Sequence, residues 1–182
     1  MNKLEQAQKL QRRTQRLFAS QSARPRPASI MKPGGNREVP TIKVRNLQRT
    51  IPLDAAELER FAARSLRLCL KIRHSKGTDL TKLRHVSVLV VSDRRMASLH
   101  QQFLNEPGPT DVITFQHGEI FIGAETARRH ARQFGNSLTQ ELGLYVVHGL
   151  LHLHGFDDRT EDEARKMKAT EQRILARAGG LN

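Results

Sequence analysis

The chain switches repeatedly between two hydrophobic periods, and the switches outline its elements. VPTIKVRN (39–46) alternates apolar and polar positions as a half-buried strand does. Leu58, Phe61, Ala62, Ser65, Leu66, Cys69 and Ile72 then follow a helical period, and Asp54 with Glu57 just ahead of them has the spacing of a capping box. HSKGTDLTK (74–82) reads as a loop. HVSVLVVS (85–92) is almost continuously apolar in its second half, which predicts a strand buried on both faces. A helix over 93–104 ends at NEPGPT. DVITFQ (111–116) and EIFIGA (119–124) then flank His117–Gly118 and predict a hairpin, and 125–134 returns to helix. Two further capping boxes, Ser137 with Gln140 and Thr160 with Glu163, open the helices LTQELGLYVVHGLLHL and EDEARKMKATEQRILARA. The expected architecture is α+β: a small mixed sheet of four strands with about five helices packed around it.

Residues 1–38 break the pattern. They carry nine Lys/Arg against Glu5 and Glu38, and SARPRPAS and MKPGGN hold too little apolar surface to offset chain entropy. They are expected to be a basic, disordered N-terminal arm, within which 3–18 has the makings of a surface helix; of a nucleic-acid-gripping arm and a solvated tail, the tail is the reading preferred here. Residues 39–178 are expected to be a single folded domain and 179–182 a C-terminal tail. Net charge over the 182 residues is +13, which points to a polyanionic partner. Tyr145 is the single tyrosine and there is no Trp, so a base-stacking platform is not evident. The apolar runs are too short to span a bilayer. Cys69 is the single cysteine; it cannot form an internal disulfide, and a reduced, cytoplasmic setting fits. In LRLCL it reads as a small buried hydrophobe.

The chemistry concentrates in HGLLHLHGFDD (148–158). His148 and His152 are four apart, so on a helix they share one face. Gly155 ends that helix, and Asp158 lies on the short connection to the next one. Two imidazoles on a rigid helix and one carboxylate returned by a turn would make a three-ligand metal site, His148, His152 and Asp158, with a coordination position left open as in catalytic zinc centres. A histidine pair at this spacing also occurs in cores. Here the flanking Leu144, Val146, Val147, Leu150 and Leu151 make two imidazoles costly to bury without partners. Gly149 leaves room for a backbone or a substrate to come close. It also stands where a zincin would carry its glutamate base, which argues against a peptidase of that type. Glu141, two turns before His148, either orients that ring or is simply a solvated or N-terminal helix residue, the reading preferred here. His154 points to the opposite side of the helix and could ligate only if the helix unwinds.

HGLLHLHGFDD followed by EARKMKATEQRIL resembles the YbeY family of metal-dependent endoribonucleases, whose pattern is HGxLHLxGYDH and then a helix with a Met…Glu…Ile/Leu run. PTDVITF (109–115) is similar to that family's PTDVLSF, and GEIFIGAETARRHA (118–131) to its GDIxIxxExAxxxA. The resemblance covers about residues 41–176, with the motifs in order and in register. It implies zinc, one ion per chain, on His148 and His152. The third ligand position, a histidine in the family, holds Asp158 here. A carboxylate cancels one charge of the ion, should acidify bound water less, and leaves another divalent metal open. The family's cleft arginine aligns with Leu104, and an asparagine nearby with His100, so the cation expected to hold the scissile phosphate is missing at that place.

The resemblance further implies a single-strand-specific endoribonuclease acting in rRNA maturation, chiefly at the 3′ end of small-subunit RNA, and in ribosome quality control. Its expected partners are RNA and ribosomal particles, with neither DNA nor membrane, and its expected location the cytoplasm. The nucleophile is left open between water and the neighbouring 2′-hydroxyl. A second reading is a non-catalytic assembly factor in which a metal staples the last two helices; Leu104 motivates it. A generic small-substrate metallohydrolase is a third, disfavoured by the charge.

Overall fold

The computed structural model describes residues 39–73, 80–179 and 181. The expected arm (1–38) and most of the expected loop (74–82) lie outside the described residues. Of that loop, Leu80–Lys82 form one turn of 3-10 helix. The other elements are β1 (Thr41–Asn46), α1 (Ala55–Leu70), β2 (His85–Val91), α2 (Asp93–Leu104), β3 (Val112–Phe115), β4 (Glu119–Gly123), α3 (Ala124–Phe134), α4 (Leu138–Leu153) and α5 (Glu161–Ala178). The α+β architecture matches the one expected. No described helix is long and apolar enough to cross a membrane.

The sheet has the order β1-β2-β4-β3. β1 and β2 are parallel and joined through α1; β2 and β4 are parallel; β3 and β4 form the expected antiparallel hairpin. Gly118, at φ 104°, closes its turn by donating to the Phe115 carbonyl at 2.9 Å. Alternation along the strands sends side chains to two unequal cores. Val88, Val90, Ile120 and Ile122 join the larger one, with α1, α4 and α5. Leu89, Val91 and Ile113 join a smaller one with Met96 and Leu99 of α2. Burial of Val88 through Val91 bears out the two-faced reading of β2.

The caps set the helix ends. Ser137–Gln140 and Thr160–Glu163 make both bonds of a capping box. Asp54 accepts from the Glu57 amide at 2.9 Å, and no return bond from Glu57 is among the described contacts, so the first expected box is half formed. α2 and α3 exchange caps instead. Glu125 Oε2 accepts from the Asp93 amide at 2.7 Å, and Asp93 Oδ1 from the Thr126 amide at 3.0 Å. Each carboxylate sits at the other helix's positive end, which is favourable for both.

α4 is buried on nearly all sides, against α1, α3, α5 and the β3–β4 hairpin. A helix apolar all round belongs in the middle of a fold, and this places its two histidines in the interior. Gly149 is where α4 meets the sheet. A Cβ there would lie 2.8 Å from Ile120 Cγ2 and 3.0 Å from Thr114 Oγ1. The close approach anticipated at this glycine is therefore made by the hairpin's side chains. Leu181, past the last helix, is buried beside Gly143.

Candidate metal centre

α4 stops in a Schellman turn. The Phe156 amide donates to the Leu151 carbonyl at 2.9 Å and the Gly155 amide to the His152 carbonyl at 3.0 Å, with Gly155 at φ 93°. The turn folds the chain back along the helix end, and Asp158 arrives beside His148 and His152. One ligand-type atom from each of the three residues lies within 4.8 Å of the others, so the cluster could hold a metal ion. His148 is buried, and His152 and Asp158 are partly buried.

Hydrogen bonds aim both rings. His148 Nδ1 donates to Glu171 Oε1 at 2.7 Å, and His152 Nδ1 donates to the Phe156 carbonyl at 3.2 Å. The two Nε2 atoms then face each other at 3.0 Å, with the rings nearly perpendicular. Two unprotonated ring nitrogens turned at one another repel unless a cation lies between them. A proton or a metal ion between them relieves that repulsion. Burial works against a charged His148, but the carboxylates of Glu171, Asp158 and Asp111 together outweigh it and raise the proton affinity of that ring. Burial and the neighbouring His148 push His152 down to about 3. Burial raises the Asp158 carboxyl to about 6 against the pull of His148. A divalent cation would take the proton's place, with two aimed imidazoles and a carboxylate as donors, and this donor set fits zinc and its neighbours.

Glu171 is the partner that the sequence reading missed. Its signal is present in α5, where Met167, Thr170, Glu171, Ile174 and Ala178 form the buried stripe, so a glutamate stands at a core position. Glu141 is a residue of the first turn of α4, as expected. It is buried rather than solvated and accepts from Asn136 Nδ2 at 3.0 Å near the start of α4. His154 turns away, as expected, and its Nε2 donates to the Ile72 carbonyl at 2.8 Å. Of the two positions aligned with the family's cleft residues, Leu104 packs against the smaller core, and buried His100 donates from Nδ1 to the Gly108 carbonyl at 2.9 Å, holding the 105–110 turn. Asp111 of PTDVITF accepts from Thr110 Oγ1 at 3.0 Å and from the Val112 amide at 2.8 Å; its charge also favours a protonated His148.

A mixed four-stranded sheet carrying a central helix with two aimed histidines defines a small α+β protein with a candidate three-ligand metal centre. Residues 43–179 match the family model described as Endoribonuclease YbeY, and the chain belongs to the YbeY family. The endoribonuclease YbeY of Thermobifida fusca is 37% identical over 111 residues, 52% of this chain and 72% of that protein. The one from Gluconobacter oxydans is 36% identical over 119 residues, 62% of this chain and 71% of that protein. The solution structure of TM1509 from Thermotoga maritima superposes with a TM-score of 0.52 at 26% identity, covering 75% of this chain and 90% of that one.

Proposed function

We propose that this chain is an endoribonuclease that cleaves single-stranded RNA. Its substrates would include precursors at the 3′ end of small-subunit rRNA and RNA removed in ribosome quality control. Residues 39–178 would be the working domain. The observation that carries the reading is the convergence of His148, His152 and Asp158, with both histidine Nδ1 atoms engaged, in a chain of this family. These three residues would hold one divalent ion, by preference zinc. When bound, the ion supplies a Lewis acid for a phosphoryl oxygen and for charge developing in the transition state.

The protein's own groups do the rest. Glu171 fixes the tautomer and plane of His148, and the Phe156 carbonyl does the same for His152. Asp158 lowers the net charge of the centre by one unit relative to a third imidazole. The six-residue connection 154–159, capped at both ends, keeps that carboxylate in register with the helix. The excess of Lys and Arg supplies a salt-dependent grip on the RNA backbone. The test is incubation of unstructured RNA with purified protein, with and without chelator, and with His152→Ala as the control for a contaminating nuclease. Chelator-sensitive cleavage absent from the variant is expected.

The second reading, a metal-stapled assembly factor that binds RNA without cutting it, is favoured by one observation: Leu104 is packed into the smaller core. Tight binding with no cleavage in the same assay would select it.

A further inference from the structure

We propose that Arg159 is the phosphate-binding residue of this centre, seating a non-bridging oxygen of the RNA phosphodiester beside the metal position; this rests on the RNA-cleaving reading above. Arg159 directly follows Asp158 on the connection between α4 and α5. Its Nε lies 2.9 Å from Asp157 Oδ2. The other oxygen of the same carboxylate, Asp157 Oδ1, accepts from the Asp158 amide at 2.9 Å. One side chain therefore fixes the guanidinium and the backbone of the candidate ligand together.

The pairing engages Nε and none of the described bonds uses Nη1 or Nη2, so most of the five N–H donors are available to another acceptor. The Arg159 side chain is 48% exposed, one residue along the chain from Asp158, while His148 is buried. A planar cationic fork suits two oxygens of one phosphate group. Asp158 makes such a cation useful, since a dication bound to one carboxylate retains a single net positive charge. Leu104 supplies no cation.

The experiment measures binding of a 2′-O-methylated oligouridylate to the metal-loaded full chain over a salt series, with metal content determined for each variant and the oligomer checked for intactness. Each phosphate contact to a single strand contributes about 0.7 to the slope of log affinity against log salt. Arg159→Gln is expected to reduce the slope by about that amount at unchanged metal content, and Arg159→Lys to retain it. Cleavage of unmodified RNA by Arg159→Gln should fall on the order of 100-fold. Coincident slopes for the wild type and Arg159→Gln would overturn the proposal and reduce Arg159 to a surface partner of Asp157. Loss of metal from Arg159→Gln would overturn it too, because the residue would then be supporting the ligands. If the slope changes but the wild type never cleaves RNA, the nuclease reading fails and the phosphate contact stands. If the wild type cleaves and the slopes coincide, the reverse holds.

Discussion

Glu171→Gln keeps the shape of the residue behind His148 and removes its charge. In the wild-type structure Glu171 Oε1 lies 2.7 Å from His148 Nδ1, and each residue is only 7% exposed, so water screens the pair little. A hydrogen bond to a charged partner is worth about 1.5–3 kcal/mol and a neutral one about 0.5–1.5 kcal/mol. Losing the charge therefore costs the centre roughly 1–1.5 kcal/mol, or about tenfold in metal affinity. Looser control of the ring plane adds to this, which gives a predicted loss of about 10- to 100-fold. Titration against a competing chromophoric chelator at fixed pH measures it. Glu141→Gln is the matched control, because that carboxylate bonds Asn136 and should leave the affinity unchanged. Equal metal affinity in Glu171→Gln and the wild type, with both variants folded, would refute the claim that Glu171 tunes His148.

Three other outcomes follow from the same geometry. Gly149→Ala should destabilise the fold: its Cβ meets Ile120 and Thr114 at 2.8–3.0 Å, and overpacking of about 1–3 kcal/mol outweighs a helix-propensity gain of ~1 kcal/mol. Thermal unfolding should show a Tm a few degrees lower, and an unchanged or raised Tm would contradict the packing. Metal affinity should fall as the pH is lowered, most steeply below about 6, because binding needs Asp158 ionised and His148 neutral, and both have raised proton affinities. His152, held at about 3, stays neutral and does not compete. An affinity independent of pH between about 5 and 8 would exclude this ligand set. Chelator should lower the Tm of metal-loaded wild type, since a ligand at about 1,000 times its Kd stabilises by ~4 kcal/mol, and should leave His148→Ala unaffected.

What the sequence disclosed depended on how local the signal was. Caps and periodicity are local, and Ser137–Gln140 and Thr160–Glu163 placed α4 and α5 closely, including the short connection that returns Asp158. The hairpin was equally legible in two strand patterns around His117–Gly118. Strand order was not, because which edge of the hairpin pairs with β2 is a long-range choice that no short-range pattern encodes. The same distinction holds in the site. His148 and His152 share a helix face by arithmetic alone, whereas Glu171 reaches His148 from 23 residues away through helix packing. Its position on the buried stripe of α5 was the available signal. The swapped caps of Asp93 and Glu125 were likewise unreadable, since each of these residues stands at the start of its own helix and serves the other's.

The most direct measurement is the metal content of freshly purified protein by elemental analysis, for the wild type, His148→Ala and Asp158→Ala. Close to one divalent ion per wild-type chain is expected, none retained by His148→Ala, and a strongly reduced amount in Asp158→Ala. Full metal content in both variants, or a wild type that binds no divalent ion at any supplied concentration, would contradict the ligand assignment.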